Sequence, residues 1–232
     1  MSCASITVDF SLFSASPFLD ELFKSAFRAE GGRFFGQIHD ENGEFVREST
    51  FAEDIEPEYI AVSPDGQEAF VVCQENNLIA VFDIPSRSFH RAFGLGVKDH
   101  SIEGNGIDAS NRDDGTDIRT WQVFGYYMPD AIDAFEVNGQ TFLITANEGD
   151  SRDYDGYSEE ERVGDLDLDP TVFPDAEELQ DDANLGRLKT TIANGDLDGD
   201  GDFDQIFSYG ARSFTIWDTN GNIVYDSGDQ LE

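Results

Sequence analysis

The sequence predicts an all-β protein, and more specifically part of a β-propeller with about three blades of antiparallel meanders. One observation is a series of short apolar runs, rich in β-branched and aromatic residues, that turn residues separate in the stretch 56–84. A second is that each run is too short for a helix of ordinary length. A third is that the pattern recurs later in the chain, as propeller blades require. A β-sandwich with accidental internal similarity is the alternative.

Two strands and one helix are predicted before the first meander. Residues 5–10 and 33–38 have the length and composition of short strands. Between them, Pro17 begins a helical pattern over residues 17–28, in which apolar residues recur at spacings of three and four. We therefore expect one short N-terminal helix.

The first meander supplies the clearest strands of the sequence. Its three apolar runs are Tyr59–Val62, Ala69–Val72 and Leu78–Phe82. Pro64–Gly66 and Glu75–Asn77 separate these runs and have the composition of turns. The segment Ser88–Gly94 is predicted to add the fourth strand of the same blade.

A second copy of the meander begins 72 residues after the first, where Pro129–Asp133 matches Pro57–Ala61. Phe142–Thr145 is then predicted to be its second strand. The counterpart of Asn77-Leu78 comes only at Asn184-Leu185, which predicts a long insertion within this copy.

A third, partial copy is predicted at the end of the sequence. Phe214–Asp218 resembles Ile79–Asp83 of the first meander. Asn220-Gly221 then turns into Ile223–Tyr225, which is a strong hairpin signal. The three copies together are the basis for expecting about three blades.

Two long, acidic loop insertions are predicted between the repeats. The segments 94–119 and 149–182 have no apolar period and are rich in Gly, Asp, Asn or Glu. Long ordered loops in compact domains are often functional, although solvated insertions would have the same composition.

Composition limits the possible partners of the chain. Its 232 residues are predicted to form one domain over 1–232, with 49 acidic and 14 basic residues and a net charge of −35. A field of this sign repels nucleic acids and anionic membranes and attracts metal cations. Solubility, or adaptation to salty water, explains most of this charge.

No membrane segment and no signal peptide are predicted in this chain. It contains no apolar run long enough to span a bilayer, so we expect no membrane insertion. The first ten residues, MSCASITVDF, lack the charged and apolar regions of a signal peptide. This fits a cytoplasmic protein or an internal piece of a longer secreted chain.

The most specific local motif is a run of alternating aspartates that predicts a calcium site. Its members are Asp196, Asp198, Asp200, Asp202 and Asp204. They fall at positions 1, 3, 5, 7 and 9 of an EF-hand-like loop, with Gly201 at position 6. Position 12 is Phe207 rather than the bidentate Glu, so the loop is not a complete EF-hand. An acidic turn without metal is the alternative, but five alternating aspartates would repel one another without a cation.

A second candidate site comes from carboxylates at repeated positions. Glu58 is equivalent to Asp130 just before the predicted inner strands, and Glu75 is equivalent to Glu148 at the next turn. Equivalent positions on neighbouring blades converge around the propeller axis, where these groups could share a metal or a ligand. The alternative is that they cap turns or pair with Arg212 and Arg152.

Several longer motifs resemble a known family. These motifs are Glu56–Ala61, Gly104–Ser110, Pro129–Ile132, Thr145–Asp150, Asn184–Lys189, Gly199–Asp204 and Gly210–Asp218. They are similar to the choice-of-anchor I family of bacterial secreted or surface β-propeller proteins, some labelled alkaline phosphatase-like or mesenchyme-specific cell surface glycoprotein-like. The resemblance implies an extracellular or cell-surface setting. It also implies that this chain is a piece of a longer protein with further blades on both sides.

Two classes of function fit these features. The first is a calcium-binding surface module that binds a ligand or partner, and we favour this class. The second is a metal-dependent phosphohydrolase acting on phosphate esters, in which clustered carboxylates hold cations and Arg212 or Arg152 clamps the phosphate. The sequence contains no G-x-S-x-G nucleophile motif, and it identifies no catalytic residue.

Overall fold

The computed structural model describes residues 24–40, 42, 44–155 and 157–232. The strand predicted at 5–10 and the first part of the predicted helix lie outside this range. Within it, residues 24–29 are helical (α1), in agreement with the end of the predicted helix. A small antiparallel pair follows, with β1 at Gln37–His39 and β2 at Phe45–Glu48.

A one-turn helix, α2 (Phe51–Asp54), precedes the first large sheet. Thr50 and Glu53 form a capping box at its N-terminus, which satisfies backbone N–H groups that the short helix leaves without partners. Phe51 stacks on Phe34 at 5.1 Å between ring centroids, so the segment covers one face of the sheet that follows.

The first sheet is the predicted meander. Its four strands pair in sequence order as β3 (Pro57–Val62), β4 (Glu68–Cys73), β5 (Leu78–Asp83) and β6 (Ser88–Gly94), all antiparallel. The central strands are apolar on both faces because each face packs against its own core. Phe70 and Val72 enter one core, whereas Val71 and Cys73 enter another with Phe34 and Phe51.

The second large sheet has the same four-stranded, antiparallel arrangement. Its order is β11 (Ala131–Val137), β12 (Gln140–Ala146), β18 (Phe214–Asp218) and β19 (Ile223–Asp226). The prediction that Phe214–Asp218 opens a third copy is therefore wrong, because it pairs with β12 and completes the second. Asn184-Leu185 is likewise not the counterpart of Asn77-Leu78, since it lies in a turn and the third strand is β18.

The long segments between these strands are not simple loops. The first, residues 95–130 between β6 and β11, contains β7 (Val97–Asp99), β8 (Ile107–Asp108), β9 (Ile118–Arg119) and β10 (Phe124–Tyr126). The second, here called the insertion (residues 147–213), contains β13 (Asp153–Tyr154), β14 (Tyr157–Ser158), β15 (Glu160–Arg162), a 3-10 turn at Val163–Asp165, α3 (Ala176–Leu179), β16 (Lys189–Thr191) and β17 (Phe207–Ser208).

The two long segments fold together. They share a five-stranded sheet in the order β15-β16-β17-β10-β7, in which only the β10–β17 pair is parallel. They also share an apolar core, to which the first segment adds Trp121 and Val123 and the insertion adds Val163, Phe173 and Leu185. The expectation of solvated loops holds for their acidic surface, but both have a buried interior.

The all-β class is confirmed, since the described residues form mainly antiparallel sheets with few helices. None of these sheets closes into a barrel. The first strands of the two large sheets, β3 and β11, lie side by side, as the inner strands of adjacent blades would. A complete propeller remains a prediction. In the described part of the chain, no helix is both long and apolar enough to cross a bilayer.

Candidate functional site

The alternating aspartates form an exposed loop that folds around its own carboxylates. The carboxylate of Asp196 accepts hydrogen bonds from the backbone N–H groups of Gly199 at 2.7 Å and Gly201 at 3.1 Å. The carboxylate of Asp204 accepts one from Leu197 N at 2.7 Å. Gly199 and Gly201 have φ angles of 78° and 103°, which glycine adopts without a steric penalty. The loop therefore curves so that its acidic side chains converge.

Five carboxylates of this region form two groups that share one member. Oxygens of Asp196, Asp198 and Asp204 lie within 4.8 Å of one another, and so do oxygens of Asp169, Asp202 and Asp204. Two oxygens that each lie about 2.4 Å from one calcium ion can be at most about 4.8 Å apart. The spacing of both groups is therefore suited to a hard cation, with Asp204 between them.

Asp169 belongs to this site although the sequence motif does not contain it. Leu168 forms a parallel bridge with Phe203, and Asp169 N donates to Phe203 O at 3.1 Å. Asp169 thus supplies a carboxylate from outside the EF-hand-like spacing. Phe207, at the position of the missing Glu, instead stacks on Phe124 at 5.5 Å within the shared sheet. The alternation of aspartates over 165–169 was the available signal for this residue.

The convergence of these groups affects their protonation. The charge of Asp200 is the main reason that the pKa of Asp198 is raised. Desolvation, followed by the charges of Asp200 and Asp169, raises the pKa of Asp202 to about 6. By contrast, hydrogen bonds from Thr171, first of all from its backbone N–H, lower the pKa of Asp169. The residues fit a cation, because neutralisation would relieve this repulsion.

The carboxylates at repeated positions do not all meet. Glu58 is exposed within β3, whereas Asp130, just before β11, and Glu148, just after β12, are exposed at the open end of the β11–β12 hairpin. None of them belongs to either close group of carboxylates. Glu75 is buried at the β4–β5 turn, and its Oε2 has no hydrogen-bond partner among the described residues.

The two arginines considered as their partners bind other acids. Arg152 is buried and pairs with Asp54 at 2.9 Å and with Glu56 at 3.2 Å. Arg212 is half-buried and pairs with Glu232 at 2.5 Å between Nε and Oε1. Both arginines therefore help to hold the fold together in addition to any role in binding.

Two members of the predicted set, Glu148 and Arg212, line one surface cleft of about 550 Å³. We call it the mixed-charge cleft, because its wall carries both signs of charge: Asp108, Glu148, Arg162, Arg187, Lys189 and Arg212. Four of the motifs that the sequence analysis singled out contribute to it, through Asp108, Glu148, Arg187 and Arg212. The presence of Asp108 and Arg187 beside Glu148 and Arg212 was not predicted from the sequence, since the four motifs are far apart along the chain.

The chain matches one protein family over most of its length. The model of the choice-of-anchor I domain matches residues 16–232. No match was found among curated proteins. Hydrazine synthase from Kuenenia stuttgartiensis is 16% identical with a TM-score of 0.21, and the match covers 78% of this chain and 41% of that one. A functionally unknown protein from Desulfotomaculum acetoxidans DSM 771 is 11% identical with a TM-score of 0.20, covering 85% and 81%. TM-scores of this size lie below those of proteins with a common fold.

Proposed function

Since the chain belongs to the choice-of-anchor I domain family, we propose that it is a calcium-stabilised module of a bacterial surface or secreted protein that binds a ligand or partner. The observation that carries the proposal is that two clusters of three carboxylates each share Asp204. Membership of the family supports the surface or secreted location, and the clustered carboxylates support the calcium site.

Calcium suits these residues better than a smaller ion. It takes six to eight oxygen ligands and tolerates irregular geometry, whereas magnesium requires a near-ideal octahedron. Asp196, Asp198 and Asp204 would hold the ion from one loop, and Asp169 and Asp202 would add a second group of oxygens. The ion supplies positive charge that offsets the repulsion among these carboxylates. Because Asp169 comes from another part of the insertion, binding would also fasten two segments together.

An extracellular setting would keep such a site occupied. Calcium sites in extracellular modules bind with dissociation constants of about 0.1–1 mM. A net charge of −35 also raises the local concentration of cations at the surface. A weak and exposed site is therefore sufficient where calcium is abundant.

Thermal melting with and without calcium tests the proposal. At a calcium concentration of about 100 times the dissociation constant, the folded state gains about 2.7 kcal/mol. For a domain of this size that corresponds to a rise in Tm of about 5–10 °C, which a chelator should reverse. Asp204→Asn, or Asp198→Ala together with Asp200→Ala, should remove most of this response.

Asp167→Asn is the matched control, because Asp167 is exposed in the same part of the chain but belongs to neither carboxylate group. Its calcium response should equal that of the unsubstituted protein. An identical melting curve in calcium and in chelator would refute the calcium site. An equal rise in Tm with magnesium would contradict the choice of ion.

A metal-dependent phosphohydrolase is the second candidate function. The observation that favours it is that Arg212 and Glu148, both predicted as possible site residues, line the same cleft. Release of phosphate from a simple aryl phosphate in calcium buffer, lost in Arg212→Gln, would support this class. No release from this chain or from a longer parent would leave the binding module as the proposed function.

A further inference from the structure

Two arginines of the mixed-charge cleft, Arg162 and Arg187, have no acidic partner among the residues that the structure describes. The guanidinium group of Arg162 donates to the backbone carbonyl of Arg187. The Nε of Arg187 reaches only the side-chain oxygen of Asn111, at the long distance of 3.5 Å. Both side chains are half-buried. Both residues line the cleft, and no carboxylate among the described residues pairs with either guanidinium group.

This arrangement is unexpected in so acidic a chain. With 49 acidic residues and 14 basic ones, a basic side chain has many carboxylates available to it. The other two cations of the cleft follow this expectation, since Lys189 pairs with Glu160 at 2.7 Å and Arg212 pairs with Glu232. Two guanidinium groups that line one cleft without such partners leave positive charge there, which a bound anion would offset.

The same cleft also offers acceptors of hydrogen bonds. The Oδ1 atom of Asp108 is buried and has no partner among the described residues. Glu148 and Asp150 are exposed at the rim, and Ser110 and Asn111 add smaller polar groups. A buried carboxylate oxygen without a donor is costly, so a rotation of the Asp108 side chain that brings this oxygen to a ligand hydroxyl group would be favourable.

We propose that the mixed-charge cleft binds an acidic sugar, with its acid group on Arg162 and Arg187 and its hydroxyl groups on carboxylates such as Asp108. The planar guanidinium group matches the two oxygens of a carboxylate or phosphate. A neutral sugar would leave the arginines unsatisfied, and a simple anion would leave Asp108 unsatisfied. The cleft volume of about 550 Å³ lies within the range of small-molecule sites, about 300–1,000 Å³.

The negative charge of the whole chain does not exclude such a ligand. At physiological ionic strength the Debye length is about 8 Å, so charges elsewhere on the surface are largely screened. For an acid group in direct contact with Arg162 and Arg187, the attraction to these two cations dominates the electrostatic energy of binding. The net charge should slow the approach of the ligand more than it weakens the final contact.

Calorimetric titration of the full chain, in calcium buffer, tests the inference with three probes: glucuronate, glucose 6-phosphate and glucose. We expect at least one of the two acids to bind, and glucose to bind at least about tenfold more weakly, because each charge-assisted hydrogen bond contributes about a tenfold factor or more. Binding of glucuronate alone would identify the acid group as a carboxylate, and binding of glucose 6-phosphate alone would identify it as a phosphate. Failure of both acids to bind would overturn the proposal.

Substitutions assign the binding to the cleft. Arg187→Gln should weaken binding about 10- to 100-fold. Arg162→Gln should do the same, and its melting curve reports whether the variant is folded. Arg187→Lys keeps the charge without the planar fork and should have a smaller effect. Arg87→Gln is the control, since Arg87 is exposed at the β5–β6 turn and does not line the cleft.

Equal losses in Arg87→Gln and Arg187→Gln would overturn the proposal, because they would indicate an effect of net charge alone. The inference rests on the proposed binding module, but the two fail separately. The arginine variants should keep the calcium-dependent rise in Tm. A normal calcium response without binding of either acid would reject the ligand and leave the calcium site intact.

Discussion

Glu75 lies in the tight turn between β4 and β5, where the fold buries its carboxyl group. The charges of Glu56 and Glu58 act on it unfavourably, and that of Arg152 acts favourably. Burial is the largest effect and raises the pKa of Glu75 to about 7. The folded protein therefore binds a proton at Glu75 that the unfolded chain releases at lower pH.

Substitution of Glu75 should change how stability depends on pH. Since an unfolded Glu has a pKa of about 4.3, the folded state loses relative stability as the pH rises from about 4.5 to 7. Glu75→Gln stays neutral, so its Tm should fall less over this range than that of the unsubstituted protein. Melting curves at several pH values measure the difference. Glu103→Gln is the control, because Glu103 is exposed and is not among the groups that shift the pKa of Glu75. Parallel curves for Glu75→Gln and the unsubstituted protein would contradict the prediction.

The residues of the proposed calcium site could be predicted only in part from the sequence. Asp196, Asp198 and Asp204 come together within one short loop, as their local spacing predicts, whereas the predicted Asp200 belongs to neither close group. Asp169 joins them only because Leu168 bridges Phe203. Such a contact depends on how two segments pack, which local spacing does not encode. The same reason explains why Arg162 and Arg187 were not recognised as cleft residues.

Among the elements, the insertion has a narrow neck where it leaves and rejoins the second sheet. Asn147 N donates to Ser213 O at 2.9 Å, and Arg212 N donates to Asn147 O at 3.0 Å. Gly149 and Gly210 both have φ angles of 74°. A Cβ atom on Gly149 would lie 2.0 Å from the backbone N of Gly210. The two backbone segments, at Gly149 and Gly210, can pass this close only because neither residue has a side chain.

Gly149→Ala should therefore be strongly destabilising. The backbone conformation alone costs an alanine about 1 kcal/mol, and the overlap with backbone atoms should raise the total to about 3 kcal/mol or more. Gly139→Ala is the control, because Gly139 has a similar φ of 80° but no heavy atom within 4 Å of the added Cβ. Urea unfolding measures both. Equal losses in the two variants would show that the neck is not tightly packed.

At the level of elements, the sequence predicted which segments are strands better than where they pair. The runs of β3, β4 and β5 were recognised because hydrophobicity and turn residues are local signals. The hairpin of β18 and β19 was recognised for the same reason, but it was assigned to a separate copy. Its true neighbour, β12, lies on the far side of the insertion. Pairing across so long a segment leaves no local signal.

The whole molecule carries far more negative than positive charge, and its folded state concentrates that charge. Several ion pairs offset only a small part of it, although Arg33 and Glu159 form a buried pair between the segment before the first sheet and the insertion. Repulsion among the remaining carboxylates favours expansion of the chain. Ions in solution shorten the range of this repulsion.

The Tm should therefore rise with salt. Raising the concentration of sodium chloride from about 10 mM to about 1 M shortens the Debye length from about 30 Å to about 3 Å. The rise should persist in Asp204→Asn, because screening acts on the entire surface, whereas the calcium response should not. A Tm that falls with salt would show that attractive ion pairs outweigh the repulsion.

The connectivity of the second sheet has a consequence for synthesis on the ribosome. The four strands of the first sheet follow one another directly, so they can pair as they emerge. In the second sheet, β12 ends at Ala146, and its neighbour β18 begins only at Phe214. At roughly 5–20 residues per second, the intervening segment takes about 3–14 s to make, whereas hairpins form in microseconds. Throughout that interval β12 presents an unpaired edge, on the side of the nascent hairpin that faces away from the first sheet, because β3 lies beside β11.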